Sequence, residues 1–281
     1  MAQELQFDIR QIFMNACENN DLAKVKLCCE GLGLDVNTKS RYVEGSQLES
    51  SGLISASGSS RQLQHHGCME VVNWLLSQEG IDVNLVCGHY TALTKACYAG
   101  NVHAVRRLVQ APDINLNWHP YGDGITAAHM AAIYSAACVE VLATVPGVDW
   151  NKKDRHGWTP LHLALQHGDP EAVRTILNIP GVDFKVKSWM GNTVAHIYCG
   201  RWTNEGNNQI MRQQEQAVFG LCELAKVEEI PWNEKNKAGD TPLMMALNNQ
   251  RYDVAMILLR CRWVDPSIAD NQGLTPEIFA R

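Results

Sequence analysis

The chain has 281 residues, 46% apolar and 19% charged, enough to bury a substantial core and too apolar for a disordered polymer. Twenty-four Lys and Arg stand against 30 Asp and Glu, a net charge of −6 that argues against a nucleic-acid partner, since such binding leans on clustered positive charge. The opening MAQELQFDIR has no basic n-region or apolar core of a secretory signal, and Ala2 stands where myristoylation needs Gly.

Taken in chain order, apolar helix pairs recur. Phe13 to Cys29 reads as a first pair, with a helix start at Gln11-Ile12, core positions at Ala16-Cys17 and Val25, and an exit through Asp35-Val36-Asn37. A second begins near Ser51-Gly52-Leu53, resumes at Gly67 to Leu76 and exits through Asp82-Val83-Asn84. From there the helix starts align as Thr91-Ala92-Leu93, Thr126-Ala127-Ala128-His129, Thr159-Pro160-Leu161-His162, Thr193-Val194-Ala195-His196, Thr241-Pro242-Leu243 and Thr275-Pro276. The Thr-to-Thr spacings are 35, 33, 34, 48 and 34. Thr is a good helix N-cap, and Pro at the next position costs no hydrogen bond. Gly124, Gly157, Gly191, Gly239 and Gly273 each lie two residues before the Thr, where a tight turn needs them. Further exits fall at Asp113-Ile114-Asn115, Asp149-Trp150-Asn151 and Pro231-Trp232-Asn233.

The most regular stretch is 154–183, DRHGWTPLHLALQHGDPEAVRTILNIPGVD: turn, helix, Gly turn, helix, exit. With its T-P-L-H-x-A run and period of about 33 residues it resembles the ankyrin repeat, and the resemblance covers roughly residues 7–281. The implied fold is all-α, a solenoid of stacked helix-turn-helix units with projecting hairpin turns. Its units are 7–39, 40–84, 85–117, 118–151, 152–185, 186–232, 233–265 and a partial 266–281, together one domain over 1–281. The last unit stops at Arg281 inside its first helix, which favours a longer protein over a truncated cap. Insertions at 40–50, at 58–64 (GSSRQLQ) and at about 200–213 break the period, and such insertions often map to a binding face.

Other chemistry is weighed against this frame. The ten cysteines make no C-x-x-C pair and there is no N-glycosylation sequon, so free, packed thiols in a reducing compartment are expected: the cytoplasm, and also the nucleus. Ala127 to Val145 is long and apolar but Ala-rich, with His129 and Glu140 inside it, so it reads as two buried helices with no membrane insertion. His129, His162 and His196 recur one per unit, too far apart to share a zinc, and read as a buried ladder joining repeats, with turn Asn and Asp as partners. His65-His66-Gly67-Cys68 has no second ligand cluster, and Cys28-Cys29 sits where Leu75-Leu76 and Leu258-Leu259 pack. No phosphate loop, nucleophile elbow or H-E-x-x-H occurs, so no catalytic residue, metal or cofactor is assigned.

What the resemblance implies is a monomeric, non-catalytic scaffold that binds another protein on its concave side. The alternative is the ankyrin-repeat portion of a longer enzyme, channel or ubiquitin-ligase adaptor. On the ankyrin plan the concave slots hold Tyr90, Ile125, Trp158 and Asn192 before the Thr, Arg155 and Trp189 before the Gly, and Tyr98, Tyr134, His167 and Arg201 at first-helix ends. Those slots are rich in Trp, Tyr and Arg, the types enriched at binding hot spots. The resemblance also implies modification of Asn84: the oxygen-sensing asparaginyl hydroxylase prefers Leu eight residues before its Asn and an acid two before, which Leu76 and Asp82 supply. Asn37 and Asn115 lack the Leu.

Overall fold

Thr91, Thr126, Thr159, Thr193 and Thr241 start helices because each satisfies N–H groups that a helix N-terminus would otherwise leave open. The Thr91 and Thr241 hydroxyls accept the N–H three residues on, at 3.2 and 3.3 Å. At the other three the residue three on is a buried His whose Nδ1 accepts the Thr N–H, at 3.2 Å for His129, 3.3 Å for His162 and 3.2 Å for His196. In each the Thr hydroxyl lies 2.8 to 2.9 Å from the same nitrogen.

The computed structural model describes residues 2–41, 49–58, 69–119, 122–167, 169–200, 227 and 229–276. It contains two compact units, Met1–Asp149 and Trp150–Arg281. The N-terminal unit holds α1 (Ala2–Glu18), α2 (Leu22–Lys26) running into a π-helical turn (Leu27–Gly31), the strands β1 (Lys39–Arg41) and β2 (Glu49–Ser51), α3 (Gly52–Ser57), α4 (Met69–Leu76), α5 (Ala92–Ala99), α6 (Val102–Leu108), α7 (Ala127–Tyr134) and α8 (Ala136–Ala143). The C-terminal unit holds α9 (Pro160–His167), α10 (Pro170–Leu177), α11 (Val194–Cys199), α12 (Pro242–Asn248) and α13 (Tyr252–Leu258).

Within the N-terminal unit the first helices pack in succession, α1 on α3 on α5 on α7, and the second helices likewise, α2 on α4 on α6 on α8. In the C-terminal unit α9 packs on α11 and α11 on α12. Each helix gives its apolar stripe to the next repeat: Leu93, Ala96, Cys97, Ala128 and Ala131 fill the space between α5 and α7, and Leu161, Ala164, Leu165, Ala195 and Leu243 play that part in the C-terminal unit. No single pair buries such a stripe alone, so the repeat is the unit of sequence and the stack the unit of stability. Both units are all-α ankyrin-type stacks, and Ala127 to Val145 holds two helices broken at Ser135, each with its apolar face buried.

The turns explain the glycines. Gly157 has φ +75°, and a Cβ there would stand 2.9 Å from the Trp189 nitrogen; Gly191, at φ +76°, approaches the Lys237 nitrogen equally closely. Successive hairpins touch backbone to backbone at these points, which only Gly permits.

Five asparagines each tie one repeat to the following one. Asn37, Asn84, Asn117, Asn151 and Asn233 each donate from Nδ2 to a carbonyl of the following repeat, at 2.7 to 2.9 Å. Each also accepts a backbone N–H there through Oδ1, at 2.7 to 2.8 Å. The third exit is therefore Asn115-Leu116-Asn117, two residues beyond the sequence alignment at Asp113-Ile114-Asn115. Asn115 takes the acid's place instead, accepting the Asn117 N–H at 3.1 Å.

The first repeat departs from the template too, since α1 reaches back to Ala2 rather than starting near Gln11-Ile12. The 40–50 insertion begins and ends as a ribbon, Lys39 pairing Ser51 and Arg41 pairing Glu49. Most of the insertion at 58–64 and nearly all of that at 200–213 lie outside the described residues, as do His65, His66 and Cys68.

Candidate functional site

In the N-terminal unit three tyrosines meet. Tyr90 lies in the turn before α5, Tyr98 near the end of α5 and Tyr134 at the end of α7, in two successive repeats. Tyr90 and Tyr98 stand 5.5 Å apart between ring centroids, and Tyr98 meets Tyr134 edge-on at 4.7 Å. Such edge contacts are favourable for aromatic rings. The Lys95 ammonium lies 4.8 Å from the Tyr90 ring and 5.1 Å from the Tyr98 ring. Burial, with the other two tyrosines, pushes the Tyr90 phenol up, so at neutral pH it stays a protonated donor. Tyr134 keeps 48% of its surface open. Ile125, half-buried in the turn before α7, donates its N–H to the Asp123 carboxylate at 3.1 Å.

In the C-terminal unit the site residues lie on hairpins closed at 154–158, 188–192, 236–240 and 270–274. A polar side chain opens each turn and accepts its N–H groups. Asp154 accepts from His156 and Trp158 at 2.7 and 2.8 Å, and Ser188 accepts from Asn192 at 3.1 Å. The hairpins are bonded tip to tip, Trp189 N–H to the His156 carbonyl and Lys237 N–H to the Met190 carbonyl, both at 3.0 Å. Arg155 is exposed, its Nε donating to His156 Nε2 at 3.1 Å. Trp158 is half-buried, its ring 6.5 Å from that of His156. Trp189 and its neighbour Met190 are each 66% exposed. Asn192 is partly committed to the stack, its Oδ1 accepting from Asn236 at 2.9 Å. His167 is exposed at the end of α9, and Arg201 lies outside the described residues.

Sequence reasoning missed Lys95, His156, Met190 and Lys237. The signal was available for Met190, since a Trp-Met pair in a hairpin whose equivalents are Arg155-His156 and Lys237-Ala238 departs from the pattern. Lys95 falls on the first helix, where its lean toward two tyrosines depends on side-chain direction rather than spacing.

The three repeated histidines are buried as expected, and their partners are only in part the expected ones. Their Nδ1 partners are the Thr of their own repeat, not turn Asn or Asp. With Nδ1 an acceptor the proton sits on Nε2, and in His196 it is donated to the Asp240 carbonyl one repeat on, at 2.9 Å. Burial holds His196 down at about 4. Among the described residues, no group of His, Cys, Asp and Glu is arranged to hold a metal and no helix is long and apolar enough to cross a membrane. Cys17, Cys28, Cys87, Cys97, Cys138 and Cys199 are buried, Cys29 and Cys261 are half-buried, and none of the eight forms a disulfide among the described residues.

Stacked helix pairs, hairpins joined backbone to backbone and side-chain amides bridging repeats define a repeat protein of the ankyrin class. Family models agree: ankyrin repeats in three copies match residues 61–154 and 111–188, and a single ankyrin repeat matches 238–271. The chain belongs to the ankyrin repeat family. The solved ankyrin repeat domain of Bcl-3, a member of the IkappaB protein family, aligns at 26% identity with a TM-score of 0.56, covering 68% of this chain and 79% of that one. Mouse (Mus musculus) protein phosphatase 1 regulatory subunit 27 is 33% identical over 82 residues, 28% of this chain and 51% of that protein. Mouse SMC5-SMC6 complex localization factor protein 1 is 41% identical over 64 residues, 22% of this chain and 6% of that protein. The chain thus spans about half the length of the phosphatase subunit and a small part of the localization factor. Ankyrin repeats mediate protein–protein interaction, and these relatives are a regulatory subunit and a localization factor, consistent with a non-catalytic scaffold.

Proposed function

We propose that the chain is one ankyrin-repeat domain that acts as a monomeric, non-catalytic scaffold, binding its partner protein across the hairpin turns and first-helix ends of each compact unit. The observation that carries this is the cluster of Tyr90, Tyr98 and Tyr134, large amphipathic side chains held against one another on successive repeats with Tyr134 half open. The core needs none of them, and Tyr, Trp and Arg are the residues that dominate interface energetics. Buried thiols that form no disulfide among the described residues support a reducing location, the cytoplasm or the nucleus. By likeness to a phosphatase regulatory subunit and a complex localization factor, the scaffold brings other proteins together.

The test is quantitative binding to partners cross-linked to the chain in its native cell and then purified. Tyr134→Ala and Trp158→Ala each weaken binding by roughly 2 kcal/mol or more while fold stability changes little. Unchanged affinity in both would move the partner site elsewhere.

A further inference from the structure

The hairpin tips of the C-terminal unit have a charge that the rest of the chain does not. Overall the protein carries 24 cations against 30 acids. Yet Arg155 and Lys237 sit on its hairpins, Lys152, Lys153, Lys185 and Lys235 lie one to three residues before the hairpin closures, and none of the six is ion-paired among the described residues. The acids on the same segments are bonded within the chain, the exposed Asp183 accepting the Lys185 N–H at 2.8 Å. Asp154 is buried as the turn acceptor, Glu234 is paired with Lys187, and Asp240 accepts from Asn248 at 3.1 Å. In the middle of this basic row stand Trp189 and Met190, flanked by Arg155 and His156 on one side and Lys237 on the other through tip-to-tip backbone bonds. Two adjacent large apolar side chains, each 66% exposed, have no role in the stack.

We infer that this row is a docking surface for an acidic segment of a partner protein, in which a bulky apolar side chain seats on Trp189 and Met190 and flanking Asp or Glu side chains meet Arg155 and Lys237. The inference rests on the scaffold reading and specifies the partner's chemistry at one part of that surface. Apolar anchors ringed by charge are the usual anatomy of an interface, and complementary potential steers the encounter. A nucleic acid fits less well: Met190 offers no ring for a base to stack on, and five of the six unpaired cations are Lys without Arg's fork.

The experiment is selection of a random peptide library on the full chain, followed by titration of the selected peptides and of a single-stranded oligonucleotide. Expected are sequences with an aromatic or large aliphatic residue between Asp and Glu, weakened about tenfold or more by Trp189→Ser with Met190→Ser, similarly by Arg155→Gln with Lys237→Gln, and weakened by salt. All four positions are exposed, so the variants fold; circular dichroism checks this. Neutral or basic winners overturn the inference. So do peptides indifferent to the tip variants but lost with Tyr134→Ala or Trp158→Ala, a result that leaves the scaffold reading standing. Oligonucleotide binding through Arg155 and Lys237 without acidic peptides would make the row a nucleic-acid site. If no peptide is selected by any surface, both readings fall.

Discussion

The His196 imidazole donates from Nε2 to the Asp240 carbonyl at 2.9 Å, while its Nδ1 accepts the Thr193 N–H at 3.2 Å. One side chain thus caps its own helix and bonds the following repeat, and it does so only as the neutral ring, because a protonated Nδ1 has no lone pair for Thr193. Burial, helped by the Lys187 charge, lowers its affinity for a proton to about 4 from the ordinary 6.5.

Stability therefore depends on pH with a definite sign. Below about 6.5 the unfolded chain binds a proton that the folded one refuses, so the His196 contribution is complete above that pH and is lost as pH falls toward 4. The total is on the order of 3 kcal/mol. Urea denaturation of wild type and His196→Gln checks it: between neutral pH and about pH 5 the wild type loses more stability than the variant. Equal losses would show that His196 titrates normally in the fold.

Alanine at two glycines separates backbone strain from close approach. Gly181 has φ +82° with open space around its missing Cβ, so Gly181→Ala costs only the left-handed backbone term, about 1 kcal/mol. Gly157→Ala adds a clash with the Trp189 backbone and costs at least about 2 kcal/mol more. Thermal or denaturant unfolding of the two variants reads the difference directly.

Asn84 donates to the Asp113 carbonyl and accepts from the Asn115 N–H, each at 2.7 Å. Asn84→Ala leaves both groups to water or to nothing and costs roughly 2 kcal/mol. Asn84→Asp keeps the acceptor but sets a carboxylate against a carbonyl, so it recovers little of that.

We propose Asn84 also as the hydroxylation site, with Leu76 and Asp82 in the positions the enzyme prefers. Mass spectra of protein from aerated cells then show one added oxygen on the peptide carrying Asn84. Its absence removes the assignment.

Hydrogen exchange should rank the repeats. Ala172 to Leu177 lies in a repeat close to the consensus, whereas Val25 to Leu27 lies where α2 runs into a π-helical turn that leaves Leu27 60% exposed. Protection is expected to be higher in the first segment, since stack stability is the sum of repeats and their interfaces. The reverse order would place the stability centre at the N-terminal end.

The helix starts were legible because capping is local: Thr and the residue three positions on meet within one turn of helix, whatever surrounds them. For the same reason Gly157 and Gly191 were readable as turns, and the buried thiols and the broken apolar run at 127–145 followed from composition. Contacts between repeats were not. The Asn staples bridge 29 to 45 residues, and their register at the third exit moved to Asn117 because Asn115 serves as the acceptor there. The tyrosines could be assigned to one face from the repeat, but their mutual contact and the Lys95 ammonium over them depend on rotamers chosen after the helices pack. What the sequence determined alone was the repeating unit, whose bonds lie within a few residues. What the tertiary structure decided was which side chains the stacking leaves outside, Trp189 and Met190 above all, because burial is a property of the neighbouring repeat and not of the residue.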